Sequence, residues 1–105
     1  MKRYIKASYG EETSGFSFDF TFNGDYDANA IKSAVRNAFK KFGCYVTAID
    51  FYSVDYDSYD DVAQCGVDFE WSGDYSGDDI EREISSSMRS LGYRVIGNPE
   101  FYGFD

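Results

Sequence analysis

Carboxylates are the only potentially reactive groups that this chain gathers in number. From Phe42 to Glu81, forty residues pass without a lysine, arginine or histidine, and eleven acids fall among them: Asp50, Asp55, Asp57, Asp60, Asp61, Asp68, Glu70, Asp74, Asp78, Asp79 and Glu81. The run Asp55-Tyr56-Asp57-Ser58-Tyr59-Asp60-Asp61 superficially suggests a calcium loop but lacks the central glycine and the position-twelve glutamate that an EF-hand needs. It also links two strands, so it reads as a solvated turn near Ser58. Gly24-Asp25-Tyr26 and Gly73-Asp74-Tyr75 could pair two aspartates as metal ligands or as a dyad. A simpler cause serves both, since each lies beside a helix start, where the helix dipole favours negative charge. With no histidine for acid–base work, no serine or cysteine beside an evident base, and no cleft to set two carboxylates across, the expectation is a protein without catalysis, cofactor or metal.

The rest of the composition sets the acids in context. Of ten basic residues, seven precede Gly43, so residues 1–42 carry a net charge of +2 and residues 43–105 a net charge of −11. Charge divided in this way makes a directional field that steers association with a partner of opposite sign. A total of −9 argues against nucleic acid and anionic membrane as direct partners, because phosphate affinity comes from lysine and arginine. Ten Phe, ten Tyr and one Trp make a fifth of the chain aromatic, which disordered acidic chains are not. The 105 residues suit one domain, 1–105, with a modest core. The N-terminus has no apolar stretch behind its basic residues, and no segment approaches membrane-spanning length. Cys44 and Cys65 are expected as buried free thiols in a reducing cytoplasm, with Cys44 opposite a residue near Trp71 rather than opposite Cys65.

The elements that must position these groups come in duplicate. Displaced by 49 positions, Phe18-Asp19-Phe20-Thr21-Phe22-Asn23-Gly24-Asp25-Tyr26 falls on Val67-Asp68-Phe69-Glu70-Trp71-Ser72-Gly73-Asp74-Tyr75, and the register holds through Gly43/Gly92 and Val46/Val95. One inserted residue later, Phe51-Tyr52-Ser53-Val54-Asp55 matches Phe101-Tyr102-Gly103-Phe104-Asp105. Each half, about 16–55 and 65–105, reads as strand–helix–strand. Phe16, Phe18, Phe20 and Phe22 alternate with polar residues, as do Cys65, Val67, Phe69 and Trp71, the period of a strand buried on one face. Ile31, Ala34, Val35, Ala38, Phe39 and Phe42 form one helical stripe; Ile80, Ile84, Ser87, Met88 and Leu91 form the second. Asp27 and Ser76 are the expected N-caps, and Gly43 and Gly92 the expected terminators. Second strands follow at Tyr45–Val54 and from Tyr93 to about Ile96, with Pro99 marking a bend or edge. The fold class is α+β: a two-layer, ferredoxin-like βαββαβ sandwich with two helices on one face of a mainly antiparallel sheet. An extra strand, Arg3–Tyr9, and a loop, residues 10–15, precede it; that strand would lie at a sheet edge or belong to a repeated ββα unit.

With the phenylalanines turned to the helices, Ser17, Asp19, Thr21, Asp68 and Glu70 face the other way. RNA-binding sheets carry aromatics and cations there, so carboxylates argue against RNA. Lys32, Arg36, Lys40 and Lys41 line the first helix as a basic stripe that could meet an acidic partner or a second copy. In size, acidity and want of catalytic residues the chain resembles the small inhibitors of phages and mobile elements, the anti-CRISPR proteins that mimic DNA among them. The resemblance is one of type and composition. It implies a basic nucleic-acid-binding partner, such as a CRISPR effector in a bacterial cytoplasm, whose nucleic-acid site is occluded. The partner-binding residues expected are Asp50, Tyr52, Asp55, Tyr56, Asp57, Tyr59, Asp60, Asp61, Asp68 and Glu70, with Tyr75 a further aromatic anchor. A self-associating regulatory or scaffold domain, possible as a homodimer, is the alternative; a small-ligand-binding domain using the paired turns is a third.

Overall fold

In a computed structural model, residues 4–6, 12–54, 61–71 and 74–103 are described. The strands are β1 (Tyr4–Lys6), β2 (Glu12–Phe22), β3 (Cys44–Val54), β4 (Asp61–Trp71), β5 (Asp74–Ser76) and β6 (Arg94–Gly103); the helices are α1 (Ala28–Lys41) and α2 (Gly77–Leu91). Four strands form the main sheet in the order β3-β4-β2-β6, every neighbouring pair antiparallel. The expected α+β class with a mainly antiparallel sheet is what the chain adopts.

Period-2 alternation dictates which way the sheet faces. Phe16, Phe18 and Phe20 of β2 and Cys65, Val67, Phe69 and Trp71 of β4 are buried in one cluster with Ile31, Val35 and Phe39 of α1 and Ile80, Ile84 and Met88 of α2. Both helices therefore lie on the same side of the sheet. Ring pairs hold this cluster together: Phe39 meets Phe69 at 4.7 Å between centroids, Phe16 meets Phe101 at 4.5 Å, and Tyr75 meets Phe69 nearly edge-on at 82°. Each such pair adds about 0.5–1.5 kcal/mol beyond the area it buries. Leu91, expected on the apolar stripe of α2, is its last residue and stays exposed.

The helix ends follow the sequence signals. Asp27 accepts the Ala30 N–H at 3.1 Å, and Ser76 accepts the Asp79 N–H at 3.4 Å, so both expected N-caps are in place. The Tyr93 hydroxyl accepts the Asp27 N–H at 2.8 Å and ties the start of α1 to the residue before β6. Gly43 and Gly92 have φ of +80° and +95°, where only glycine is unstrained. At the second end the Gly92 N–H reaches the Arg89 carbonyl and the Tyr93 N–H the Met88 carbonyl, the paired bonds of a Schellman motif.

Four expectations need correction. The N-terminal strand is not at an edge of the main sheet: its described part, β1, pairs with β5 as a separate two-stranded sheet, Ile5 opposite Tyr75. Asp74-Tyr75, read as a turn, is thereby a strand, whereas Gly24-Asp25 does form a tight bend bridged between Asn23 and Asp25. Residues 12–15, read as loop, begin β2, because β4 and β6 supply hydrogen-bond partners on both sides and outweigh the weak strand preference of Gly15. The last strand also runs on to Gly103 instead of ending near Ile96. Ser17 pairs with Glu100 and Asp19 with Ile96, so β6 carries a bulge over Gly97-Asn98-Pro99, with Gly97 at φ +69°.

Phe69→Ala should cost about 3–5 kcal/mol in urea unfolding, against about 0.5–2 kcal/mol for loss of the cap in Asp27→Ala. The reverse order would contradict a core centred on Phe69.

Candidate functional site

The helix-free face of the sheet carries the polar half of each alternation. Gly15, Ser17 and Asp19 of β2 stand beside Asp68, Gly66 and Gln64 of β4, which stand beside Ala48, Asp50 and Tyr52 of β3. On the other flank Gly15 faces Tyr102 and Ser17 faces Glu100. Both central strands thus place a glycine where most strands carry a side chain. The flanking tyrosines lean into the space. A Cβ at Gly15 would lie 3.0 Å from Tyr102 Cδ2, and one at Gly66 would lie 3.4 Å from Tyr52 Cε2. The Tyr102 hydroxyl and Ser17 Oγ share a hydrogen bond, and the ring leaves Ser17 buried although it faces away from the helices. Between these groups runs a cleft of about 190 Å³, lined also by Asp50, Gln64 and Asp68. Three exposed tyrosines, Tyr45, Tyr52 and Tyr102, belong to this face, with Tyr45 opposite Glu70.

The sequence-predicted residues divide. Asp50, Tyr52, Asp68 and Glu70 come together on this face, Asp50 and Asp68 exposed and Glu70 half-buried. Asp61 is exposed, but its carboxylate accepts the Gly24 N–H at 3.1 Å and pins the bend before α1. Asp55, Tyr56, Asp57, Tyr59 and Asp60 lie outside the described residues. Tyr75 is no surface anchor: it is 3 % exposed and packs against Phe69, Trp71 and Phe101. Sequence reasoning missed Tyr102, Tyr45 and the two glycines. A signal for Tyr102 was present, since the repeat register matches it to Tyr52.

The basic stripe of α1 is partly spent on the fold. Arg36 donates to the Val46 carbonyl at 3.3 Å, and Lys41 forms a 3.0 Å ion pair with Glu83 of α2. The cysteines match the sequence reading: Cys44 stands opposite Trp71, and both are free and buried. Burial pushes both thiols up to about 12, with Asp50 adding to the effect at Cys65. Among the described residues no three acidic, cysteine or histidine side chains converge as a metal site. No described helix is long and apolar enough to cross a membrane.

No protein-family model matches the chain, and no curated protein does. Solved structures do. An unknown protein from Galdieria sulphuraria superposes with a TM-score of 0.55 at 10 % identity, over 94 % of this chain and 53 % of that one. The Bacillus subtilis YXEP protein, a dinuclear metal-binding peptidase of the M20 family, superposes with a TM-score of 0.50 at 9 % identity, over 90 % of this chain and 26 % of that one. The chain thus spans about half of the first and about a quarter of the second. At such identities the likeness is one of fold alone.

Gly15→Ala should displace the Tyr102 ring and break its bond to Ser17, at about 1 kcal/mol, visible as faster amide exchange at the β2–β6 pairing; an unchanged exchange pattern would contradict the packing. Neither thiol should react with Ellman's reagent in the folded protein at neutral pH, and both should react in denaturant. The unfolded thiols ionise near 9.0 and the folded ones only near about 12, so the unfolded state sheds protons first. This contribution to stability is present below pH 9 and falls as pH rises towards 12. A smaller fall above pH 9 in double Cys→Ala than in the parent would identify the thiols as a source of it.

Proposed function

We propose that this protein is a non-enzymatic acidic binding protein whose helix-free sheet face and adjoining hairpin occlude the nucleic-acid-binding surface of a basic partner. The carrying observation is the meeting of Asp50, Asp68 and Glu70 with exposed Tyr45, Tyr52 and Tyr102 on one face that no helix covers. Carboxylates on alternate residues of one strand stand about 6.6–6.8 Å apart. A regular negative array of this kind competes for grooves that lysine and arginine build for phosphate. Tyrosines supply amphipathic anchors of the kind concentrated at interfaces. Residues 55–60 add Asp55, Tyr56, Asp57, Tyr59 and Asp60 to the same proposal on sequence grounds alone. The strand order β3-β4-β2-β6, with a helix after β2 and another before β6, supports reading the scaffold as a duplicated ferredoxin-like unit. An anti-CRISPR inhibitor acting on a CRISPR effector in a bacterial cytoplasm is the form of this function that the resemblance in composition suggests.

A second reading has one observation in its favour. The outer edge of β3 has no strand paired to it among the described residues and holds no proline, whereas the opposite edge, β6, is interrupted by its bulge and Pro99. An unblunted edge can pair with a second copy.

The test is displacement of target DNA from purified CRISPR effector complexes. The parent protein should compete for DNA binding, weakening steeply between about 50 and 200 mM salt, and Asp50→Lys/Asp68→Lys/Glu70→Lys should lose at least about tenfold in potency. Unaltered inhibition by the triple variant would sink the acidic-face reading. A dimer by light scattering that survives high salt would favour the β3 edge instead.

A further inference from the structure

The cleft between Tyr52 and Tyr102 is more specific than a charged face requires. Its floor is backbone, because Gly15 and Gly66 bring no side chain, and its flanks are two tyrosine rings leaning inwards over those glycines. One ring is held by a hydrogen bond to Ser17, which is itself more than nine-tenths buried. Two exposed carboxylates, Asp50 and Asp68, and the Gln64 amide also line it, beside Phe16 and Val67, and the lining includes no lysine or arginine. Such a space, of about 190 Å³, suits one long side chain rather than a folded segment.

We propose that this cleft receives a single arginine side chain of the basic partner, a proposal that rests on the acidic-face reading above and names what that face recognises. A guanidinium is flat, so it can lie against a tyrosine ring while its edge remains free. Its five N–H donors form a rigid fork that matches carboxylates such as Asp50 and Asp68, and the Gln64 carbonyl can accept another. Lysine offers a compact, strongly hydrated point charge with no flat face, so it gains from the carboxylates but little from the rings. A phosphate or other anion would meet carboxylates and no cation. The sequence register strengthens the case for a built site. Tyr52 matches Tyr102 and Ser17 matches Gly66 in the two halves, and Asp50 from the first and Asp68 from the second line the cleft, so both halves bring an aromatic and an acid to it.

The experiment uses the full chain and short Gly/Ser peptides carrying one arginine or one lysine, followed by backbone amide NMR. The arginine peptide should move the amides of Gly15, Ser17 and Gly66 and bind several-fold more tightly than the lysine peptide. Tyr52→Ala should weaken arginine binding about tenfold, and Asp50→Asn, which keeps the side-chain size, should also weaken it. Tyr45→Ala, on the same face but outside the cleft, should leave it within about twofold. Equal affinity for the two peptides, unmoved by Tyr52→Ala, would overturn the cleft proposal. If Asp50→Lys/Asp68→Lys/Glu70→Lys still weakened both peptides in that case, the acidic-face reading would stand without it. Absence of binding by either peptide overturns the cleft proposal; the acidic-face reading then falls only if DNA displacement fails as well.

Discussion

The structure depends on one constraint: β2 is hydrogen-bonded on both sides and sends every second side chain, Phe16, Phe18 and Phe20, into a single layer under the helices. A strand cannot bury both faces when all its large apolar residues share one parity. The helices are therefore confined to one side, and the opposite face is left to small and acidic residues. Phe69, on the neighbouring strand, couples this layer to α1 through Phe39 and to β5 through Tyr75, so the same aromatic set joins the main sheet to the small one.

Charges that look alike in the chain have different fates once folded. Asp61 belongs by sequence to the acidic hairpin, yet it anchors the backbone of Gly24; Lys41 belongs to a basic stripe, yet it closes α1 onto Glu83. Asp50 and Asp68 remain exposed on the sheet, beside each other's strands. What sorts them is proximity to an unsatisfied backbone donor or an opposite charge on another element, and that proximity exists only after the strands align. Tyrosines divide for a related reason. Tyr75 is carried under the sheet by the pairing of β5 with β1, whereas Tyr52 and Tyr102 have the parity of the outer face.

The two halves are alike in sequence without being alike in surroundings. One N-terminal segment can pair with only one of two matching sites, and it pairs with Asp74–Ser76. The equivalent stretch near Asp25 has no such partner among the described strands and bends instead. The bulge at Gly97–Pro99 likewise falls where the second half carries its inserted residue.

Alternation, capping and termination were local properties, and the sequence by itself determined them: the phenylalanine face, the Asp27 and Ser76 caps and the glycine stops. Much of the candidate face was legible for the same reason, because parity along β4 assigns Asp68 and Glu70 to the side away from the helices. The cleft was not. Gly15 read as loop and Gly66 as an ordinary alternating position, and their meaning comes from Tyr102 and Tyr52 on other strands. Residues brought together across a sheet from 14 to 87 positions apart obey register, and register is settled by the whole sheet closing at once. That cooperative step, absent from any short window of sequence, is what turned an acidic hairpin into a tyrosine-walled cleft.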